Sequence, residues 1–323
     1  MSSGSGPFPA GGVYCTGNIV LDILVKPVEA LPSWGTTMWV DSIAQHLGGN
    51  GAITSYALGK LGAPVRLAGA VGDDAFGEYV LKRLGSAGVD LSDVRVTPGV
   101  QTATTVGLIN QHGERLFLHV LGASDVMGPE QVSFDPGRMG GFSYFHFASM
   151  FHMPRMRAAA ADLLVRARQA GLVTSVDTMW DTAGRWMEDF AGICPLIDLL
   201  FVNQDEARML AGSADPGEVG RFFRSRGIRI VILKMADHGC AVGAPGEECL
   251  VAAYDAPAVD STGAGDSFCG GFLAALLRGF SLREAARFAN AVAAHCIQQI
   301  GGTEGLAGFE ETLAWMAGAR CLT

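Results

Sequence analysis

The sequence predicts an α/β domain: a doubly wound, mostly parallel sheet flanked by helices, with a small β-rich lid beside it. Three observations predict it. Strand-like and helix-like segments alternate through the second half of the chain, and strands that alternate with helices of about 10–15 residues build parallel sheets. Glycine supplies 44 of the 323 residues, and several glycines stand where a helix should stop. Two β-rich stretches in the first half, near Trp34–Gln45 and Thr102–Leu121, have no helix of their own. They suit a separate small sheet.

The elements follow in order. Val13–Val25 reads as a first strand with a continuing edge. Asn50–Gly62 reads as a helix stopped by glycine, and Val65–Val71 as a strand closed by Gly72-Asp73-Asp74. Phe76–Ala87 has helical spacing, with Gly88 at the position of a left-handed cap. Thr102–Asn110 and Glu114–Leu121 are joined by Gln111-His112-Gly113, a hairpin signal. Tyr144–Phe147 is a short strand. Pro154–Ala170 is a helix ended by Gly171, and Val173–Asp177 a strand. Leu199–Val202 is a strand that leads into a helix from Gln204. Gly217–Arg226 is a helix and Ile228–Lys234 a buried strand. Cys240–Gly243 reads as a short antiparallel strand. One helix follows Gly263 and another spans Leu282–Ile300. Residues 1–12 read as a flexible tail, so the domain spans 13–323, with lid segments at about 34–46 and 100–122.

Composition removes several function classes. Apolar residues are 49% of the chain and the mean hydropathy is +0.28, which excludes disorder for most of it. The net charge is −9 and no Lys/Arg cluster occurs, so binding to nucleic-acid phosphates is not expected. The uncharged runs Ser42–Gly59 and Val96–Gly113 are too polar to be the roughly 20 apolar residues of a membrane span. The start has neither a basic nor an apolar region of the kind a secretory signal needs. Seven cysteines (15, 194, 240, 249, 269, 296 and 321) form no Cys-x-x-Cys pair; a cytoplasmic location fits best. The seven histidines show no metal spacing, and no Gly-x-Ser-x-Gly elbow exists. His146 and His152 flank an apolar stretch and read as structural or substrate-wall residues. Trp34, Met38 and Trp39 suit a lid or dimer contact, with plain packing the default.

The strongest local signal is Val259-Asp260-Ser261-Thr262-Gly263-Ala264-Gly265-Asp266-Ser267-Phe268. Small residues fill 261–265, and Phe268, Phe272, Leu273, Leu276 and Leu277 then recur at helical spacing. A glycine turn therefore runs straight into a helix N-terminus, where free N–H groups and the helix dipole favour an anion. Asp266 lies inside that corner. A carboxylate there can act as general base beside a transferring phosphoryl group, or simply be an acid well placed on a helix dipole. The segment is neither a Walker loop nor the Gly-x-Gly-x-x-Gly dinucleotide fingerprint, which leaves a dehydrogenase remote.

The segment Asp-Ser-Thr-Gly-Ala-Gly-Asp-Ser-Phe resembles the C-terminal signature of the ribokinase-like (PfkB) carbohydrate kinases. Gly17-Asn18-Ile19-Val20-Leu21-Asp22 resembles that family's opening strand, Gly48-Gly49-Asn50-Gly51-Ala52 its first signature, and Val71–Gly77 the loop that follows. Asn203-Gln204-Asp205-Glu206 resembles its Asn-x-x-Glu element. The resemblance implies a ribokinase-like fold and a kinase that uses ATP and Mg²⁺. It implies Asp266 as the base, and the N–H groups of Gly263, Ala264 and Gly265 as the anion hole. Asp22, Gly48, Gly49 and Asn50 would bind a sugar-like substrate. Asn203, Glu206, Lys234, Gly239 and Asn290 would serve the nucleotide, with Glu206 reaching Mg²⁺ through water, since Mg²⁺ keeps much of its hydration. Asp260 matches a monovalent-cation site of some members and so implies activation by K⁺.

Each residue also has a plainer reading. Asp22 can open a turn, and Gly48-Gly49 can be a turn before a helix. Asn203 can be an N-cap completed by Glu206 as a capping box. Asn290 can be an ordinary polar residue on a helix, and Asp260 can merely precede a turn. The chain also departs from the family pattern: Ile53 stands where Asn is usual, and Lys234-Met235-Ala236-Asp237-His238-Gly239 replaces Thr-x-Gly-x-x-Gly. Ala236 should restrict the backbone there. Asp177-Thr178-Met179-Trp180-Asp181 lacks the Arg of 2-keto-3-deoxygluconate kinases. The expectation is an ATP-dependent sugar kinase, homodimeric through lid edges. The alternatives are a nucleoside kinase on the same fold and a non-catalytic sugar-binding regulator.

Overall fold

A computed structural model describes residues 8–112 and 114–322. Of the expected tail, residues 1–7 lie outside the described residues, as does Gly113 of the hairpin turn. The rest of that tail is bound: Phe8 packs against the core and the Ala10 carbonyl accepts from Ser143 Oγ.

Among the described residues, thirteen strands form two sheets. In chain order they are β1 Gly12–Thr16, β2 Val20–Lys26, β3 Ser42–Gly48, β4 Val65–Gly72, β5 Asp90–Thr97, β6 Ala103–Ile109 and β7 Arg115–Val120. The remainder are β8 Phe142–Phe147, β9 Val173–Asp177, β10 Leu199–Asn203, β11 Ile230–Lys234, β12 Cys240–Ala244 and β13 Glu247–Val251. The large sheet runs β13-β12-β11-β10-β9-β8-β1-β4-β5; the pairings of β12 with β11 and with β13 are antiparallel and the rest parallel. The longer helices are α1 Asn50–Lys60, α2 Ala75–Ser86, α3 Ala160–Gln169, α4 Gln204–Ala211, α5 Pro216–Arg224, α6 Ala264–Leu277, α7 Leu282–Cys296 and α8 Phe309–Gly318.

Side chains alternate along the central strands, so each strand feeds two cores. Val13 and Cys15 join the core under α1, α2, α6 and α7, while Tyr14 joins the core under α3, α4 and α5. In the same way Phe201 faces one side and Leu200 and Val202 the other. Helices on both faces make the sheet doubly wound, as expected.

The small sheet runs β3-β2-β6-β7. Its inner face carries the cross-strand row His46, Asp22, Thr105 and His119. Its outer face carries Ile43, Val25, Leu108, Leu116 and Leu118, of which Ile43, Leu116 and Leu118 are well exposed. The expected single strand Val13–Val25 is two strands: the chain leaves the large sheet at Thr16 and joins the lid at Val20. The lid is correspondingly larger than expected, because β2 belongs to it. Residues 34–41 are loop, and Trp34 and Trp39 stand exposed rather than packed.

Candidate functional site

The glycine turn and the helix corner form as their sequence suggests. Gly263 caps α6 with φ +71°, a left-handed conformation that favours glycine, and a Cβ there would come within 2.8 Å of the Gly302 Cα. The Ser267 N–H bonds the Gly263 carbonyl at 2.8 Å, so the helix has begun. The N–H groups of Gly265 and Asp266 precede any intrahelical acceptor and point out of the corner, while that of Ala264 reaches back to the Ser261 carbonyl at 3.3 Å. Asp266 is buried. Its Oδ1 accepts from Asn50 Nδ2 at 2.7 Å and its carbonyl from Thr54 Oγ1 at 3.2 Å. Burial raises its pKa; Lys234 and the Asn50 bond pull it back, and the Glu206 charge adds to the rise.

Asn50 opens α1, directly after Gly49 at φ +90°. Its N–H donates to Asn18 Oδ1 at 2.8 Å, and Ser149 Oγ donates to the same oxygen. Gly48 ends β3 against Asp22: a Cβ at Gly48 would lie 2.3 Å from the Asp22 carboxylate. Burial pushes Asp22 up to about 6, against a bond from Thr105, with Asp260 and Asp266 adding to the rise. Thr105 Oγ1 also meets His119 Nδ1 at 3.0 Å. The lid thus brings Asp22, Thr105 and His119 to the edge of the Asn50–Asp266 pair.

On the opposite flank, Lys234 ends β11 and its Nζ donates to Asp177 Oδ1 at 2.7 Å. The same Nζ lies 3.3 Å from where a Gly265 Cβ would be, beside the helix corner. Asp177 is pushed up to about 7 by burial and by Asp266 and Glu206, with Lys234 opposing. Asn203 and Glu206 form the capping box: the Glu206 N–H donates to Asn203 Oδ1 at 2.9 Å and the Asn203 N–H to Glu206 Oε2 at 3.2 Å, with Asn203 Nδ2 adding a bond to Glu206 Oε1 at 2.7 Å. Thr178 Oγ1 donates to Glu206 Oε2 at 2.6 Å. The plainer reading of this pair therefore describes its local structure, and it also puts the Glu206 charge beside Asp266 and Lys234.

Asp177, Glu206 and Asp266 against Lys234 leave this flank net negative. No group of three or more metal-ligating side chains occurs among the described residues. Such a donor set fits a hydrated Mg²⁺ carried in with phosphates rather than a protein cage. Gly239 (φ +82°) and Asn290 line a cavity of about 330 Å³ beside Gly265, closed by Ala253, Tyr254 and Phe268. Asn290 Nδ2 donates to the carbonyls of Val251 and Ala252 at 3.1 and 3.0 Å, pinning the wall.

Asp260 lies just before the turn. Its Oδ1 accepts from the Thr262 N–H at 2.9 Å and Thr262 Oγ1 at 2.7 Å, and its Oδ2 from the Gly301 N–H at 2.9 Å. A larger cleft of about 850 Å³ runs from His119 on the lid to His152, Arg157 and Arg185 on the body. Its arginines are already paired: Arg157 with Asp181 and Asp189, and Arg185 with Asp189. His146, by contrast, is wholly buried against Ser175 Oγ at 2.9 Å.

Sequence reasoning missed Asn18, Thr105, Asp177, His119 and Arg115. Period-two alternation in Arg115–Val120 would have put Arg115 and His119 on one face of β7. Nothing local distinguishes Asp177.

The model of the pfkB family carbohydrate kinases matches residues 13–307. An ATP-dependent ribose-1-phosphate kinase of Halopiger xanaduensis is 32% identical over 283 residues, 87% of this chain and 90% of that protein. A ribokinase of Mus musculus is 26% identical over 301 residues, 90% of each chain. The structure of Arabidopsis thaliana ribokinase complexed with ribose and ATP superposes with a TM-score of 0.83 at 25% identity, covering 95% of this chain and 99% of that one.

Proposed function

The chain belongs to the pfkB family of carbohydrate kinases, phosphotransferases with an alcohol acceptor, and we propose that it transfers the γ-phosphate of Mg·ATP to a hydroxyl of a sugar or sugar-like molecule, with Asp266 as general base. One observation carries this reading. Asp266 occupies the helix corner where phosphate is favoured, and the same carboxylate bonds Asn50 on the acceptor side at 2.7 Å. A base in that position can reach the acceptor hydroxyl and the transferring group at once.

The adenine belongs in the cavity beside Gly239 and Asn290, whose wall is mostly apolar. The phosphates then lie toward the N–H groups of Gly263 and Gly265, with that of Ala264 turned back to Ser261, and toward Lys234. Mg²⁺ would neutralise developing charge on the phosphates, held through water by Glu206 and its neighbours Asp177 and Asn203. Asp22, Gly48, Gly49 and Asn50 hold the acceptor. Asp266 takes the proton of its hydroxyl; the oxygen bonds the γ-phosphorus while the bond to the β–γ bridging oxygen breaks, and ADP leaves. The lid's Asp22, Thr105 and His119 cover the acceptor and keep water from competing. Potassium is left out of this reading, because Arg115 already stands beside Asp260.

The cleft of about 850 Å³ next to His119 and His152 gives room beyond a monosaccharide, which favours a nucleoside acceptor as the second reading. The exposed apolar outer face of the lid supports a homodimer in which a second copy covers it. Six of the seven cysteines are buried free thiols, which supports work in a reducing cytoplasm. The test is ADP release from Mg·ATP with purified protein across sugars, sugar acids, sugar phosphates and nucleosides. Turnover with one class establishes the kinase and its acceptor. Tight sugar binding with no turnover on any class would replace this reading with a non-catalytic regulator.

A further inference from the structure

We propose that Arg115 of the lid stands at Asp260 in place of a monovalent cation, so that turnover does not depend on K⁺ and lid closure itself sets the catalytic turn. The catalytic part of this inference rests on the kinase reading above; the electrostatic part does not.

Arg115 opens β7 on the inner face of the lid. Its Nη1 donates to Thr262 Oγ1 at 2.7 Å and lies 3.3 Å from Asp260 Oδ1, and its Nη2 donates to Ser261 Oγ. One guanidinium therefore grips three consecutive residues, Asp260, Ser261 and Thr262. The next residue is Gly263, whose left-handed turn aims the N–H groups of the helix corner. Holding 260–262 fixes that aim.

A cation of potassium's kind needs oxygens that converge on open space. At Asp260 the oxygens converge on hydrogens instead. Oδ1 faces the Thr262 N–H, the Thr262 hydroxyl and Arg115, and Oδ2 faces the Gly301 N–H. The two neighbouring carbonyls, of Thr262 and Gly302, both lie against the Cys296 thiol, at 3.4 and 3.3 Å. The residues present do not fit the ion. The positive charge arrives on Arg115, whose planar fork suits carboxylate and hydroxyl partners together. Burial raises the Asp260 pKa, but the Gly301, Thr262 and Arg115 contacts outweigh it and keep the carboxylate ionised.

The lid also holds the other side of this junction. His46 Nδ1 sits 2.3 Å from where a Gly301 Cβ would be, and 3.8 Å from Glu304 Oε1, which is tied to Arg83 at 2.7 Å. Asp260 links the turn to Gly301, and the lid touches both ends of the link. When the lid lifts, Arg115 leaves, and the turn loses the charge that orders it. Arg115 is thus a positioning residue: it acts on the transferred group through Gly263–Gly265.

The test has two arms. Thermal melting in KCl and in tetramethylammonium chloride at equal ionic strength needs no acceptor. The native protein should melt at the same temperature in both, and Arg115→Met should melt higher in KCl. In turnover, the native rate should be equal in the two salts. Arg115→Met should lose about tenfold in kcat, as expected for a charge-assisted bond, with a smaller change in nucleotide Kd and partial recovery on adding guanidinium or K⁺. Arg115→Lys should retain more activity than Arg115→Met. A K⁺-induced rise in the native melting temperature, several-fold K⁺ activation of the native protein, or undiminished kcat in Arg115→Met each overturns the proposal. Absence of turnover on every acceptor sinks the kinase reading and leaves the melting arm to decide this one.

Discussion

The burial that lifts the pKa of Asp266 also strengthens it as a base, because a carboxylate out of water holds a proton more tightly. Asp266→Asn keeps the shape and the Asn50 contact but cannot take the proton. We expect kcat to fall by about 10²–10⁴-fold with nucleotide Kd near native by calorimetry; near-native kcat would remove Asp266 from the base role. Burial pushes Asp22 up to about 6; in the proposed role it would bind acceptor hydroxyls as the carboxylate, the form lost as pH falls through that value. The acceptor kcat/KM should drop on the acid side of about pH 6, and Asp22→Asn should abolish that limb while raising KM. If the limb is unchanged in the variant, it belongs to Asp177 or Asp266. His146 works on stability. Burial, with Lys234 nearby, depresses it to about 3, whereas an unfolded histidine titrates near 6.5. Its contribution is present above about 6.5 and is lost as pH falls toward 3, at up to roughly 1.4 kcal/mol per pH unit. Urea titrations at pH 7.5 and 5 should show a smaller acid loss in His146→Gln than in the native protein.

Elements with a strong local pattern were legible in the sequence. Val173–Asp177 falls where its β-branched run lies, and α1 and α2 end at their glycines. The capping box at Asn203 and Glu206 was legible as well, because its signal spans four consecutive residues. What failed was the break between β1 and β2. Gly17-Asn18 is a turn signal, but it is embedded in a continuous apolar run and reads as part of one strand, and β2 is drawn out of the large sheet by partners at β3 and β6 that are distant in sequence. The edge strand β5 was missed because Asp90, Ser92, Asp93 and Arg95 interrupt its run of Leu and Val, so no β-forming stretch or clean alternation marks it. The expectation that Ala236 restricts its loop has a concrete form: its φ is +51°, which costs an alanine about 1–2 kcal/mol. Ala236→Gly should recover part of that and raise Tm by about 2 °C, read by calorimetry. Gly48→Ala places a methyl on the Asp22 carboxylate. It should raise the acceptor KM while leaving nucleotide affinity near native, which separates a displaced acceptor from a damaged fold.

The candidate site as a whole could not be read locally. Asp266, Asn50, Lys234 and Asp22 each sit in a recognisable segment, but Asp177, Thr105, His119 and Arg115 join them only because β9 of the large sheet and β6 and β7 of the lid face the same glycine corner. Their roles come from topology rather than from any neighbouring residue. The outer lid face is a property of the whole molecule too. Ile43, Leu116 and Leu118 are 67%, 44% and 60% exposed, a patch that a second copy would remove from water. Leu118→Glu should convert a dimer in sedimentation to a monomer with its nucleotide affinity intact; a native protein that sediments as a monomer ends the homodimer reading.

The loop that joins β2 to β3 has an optical consequence. Trp34 and Trp39 stand in water there, whereas Trp186 is buried in the body, the half-exposed Trp180 packs edge-on against it, and Trp315 packs on Tyr254. The first pair should emit at longer wavelength and be reached first by iodide. The lid carries its own dye, and its environment can be followed by fluorescence without attaching anything to the protein.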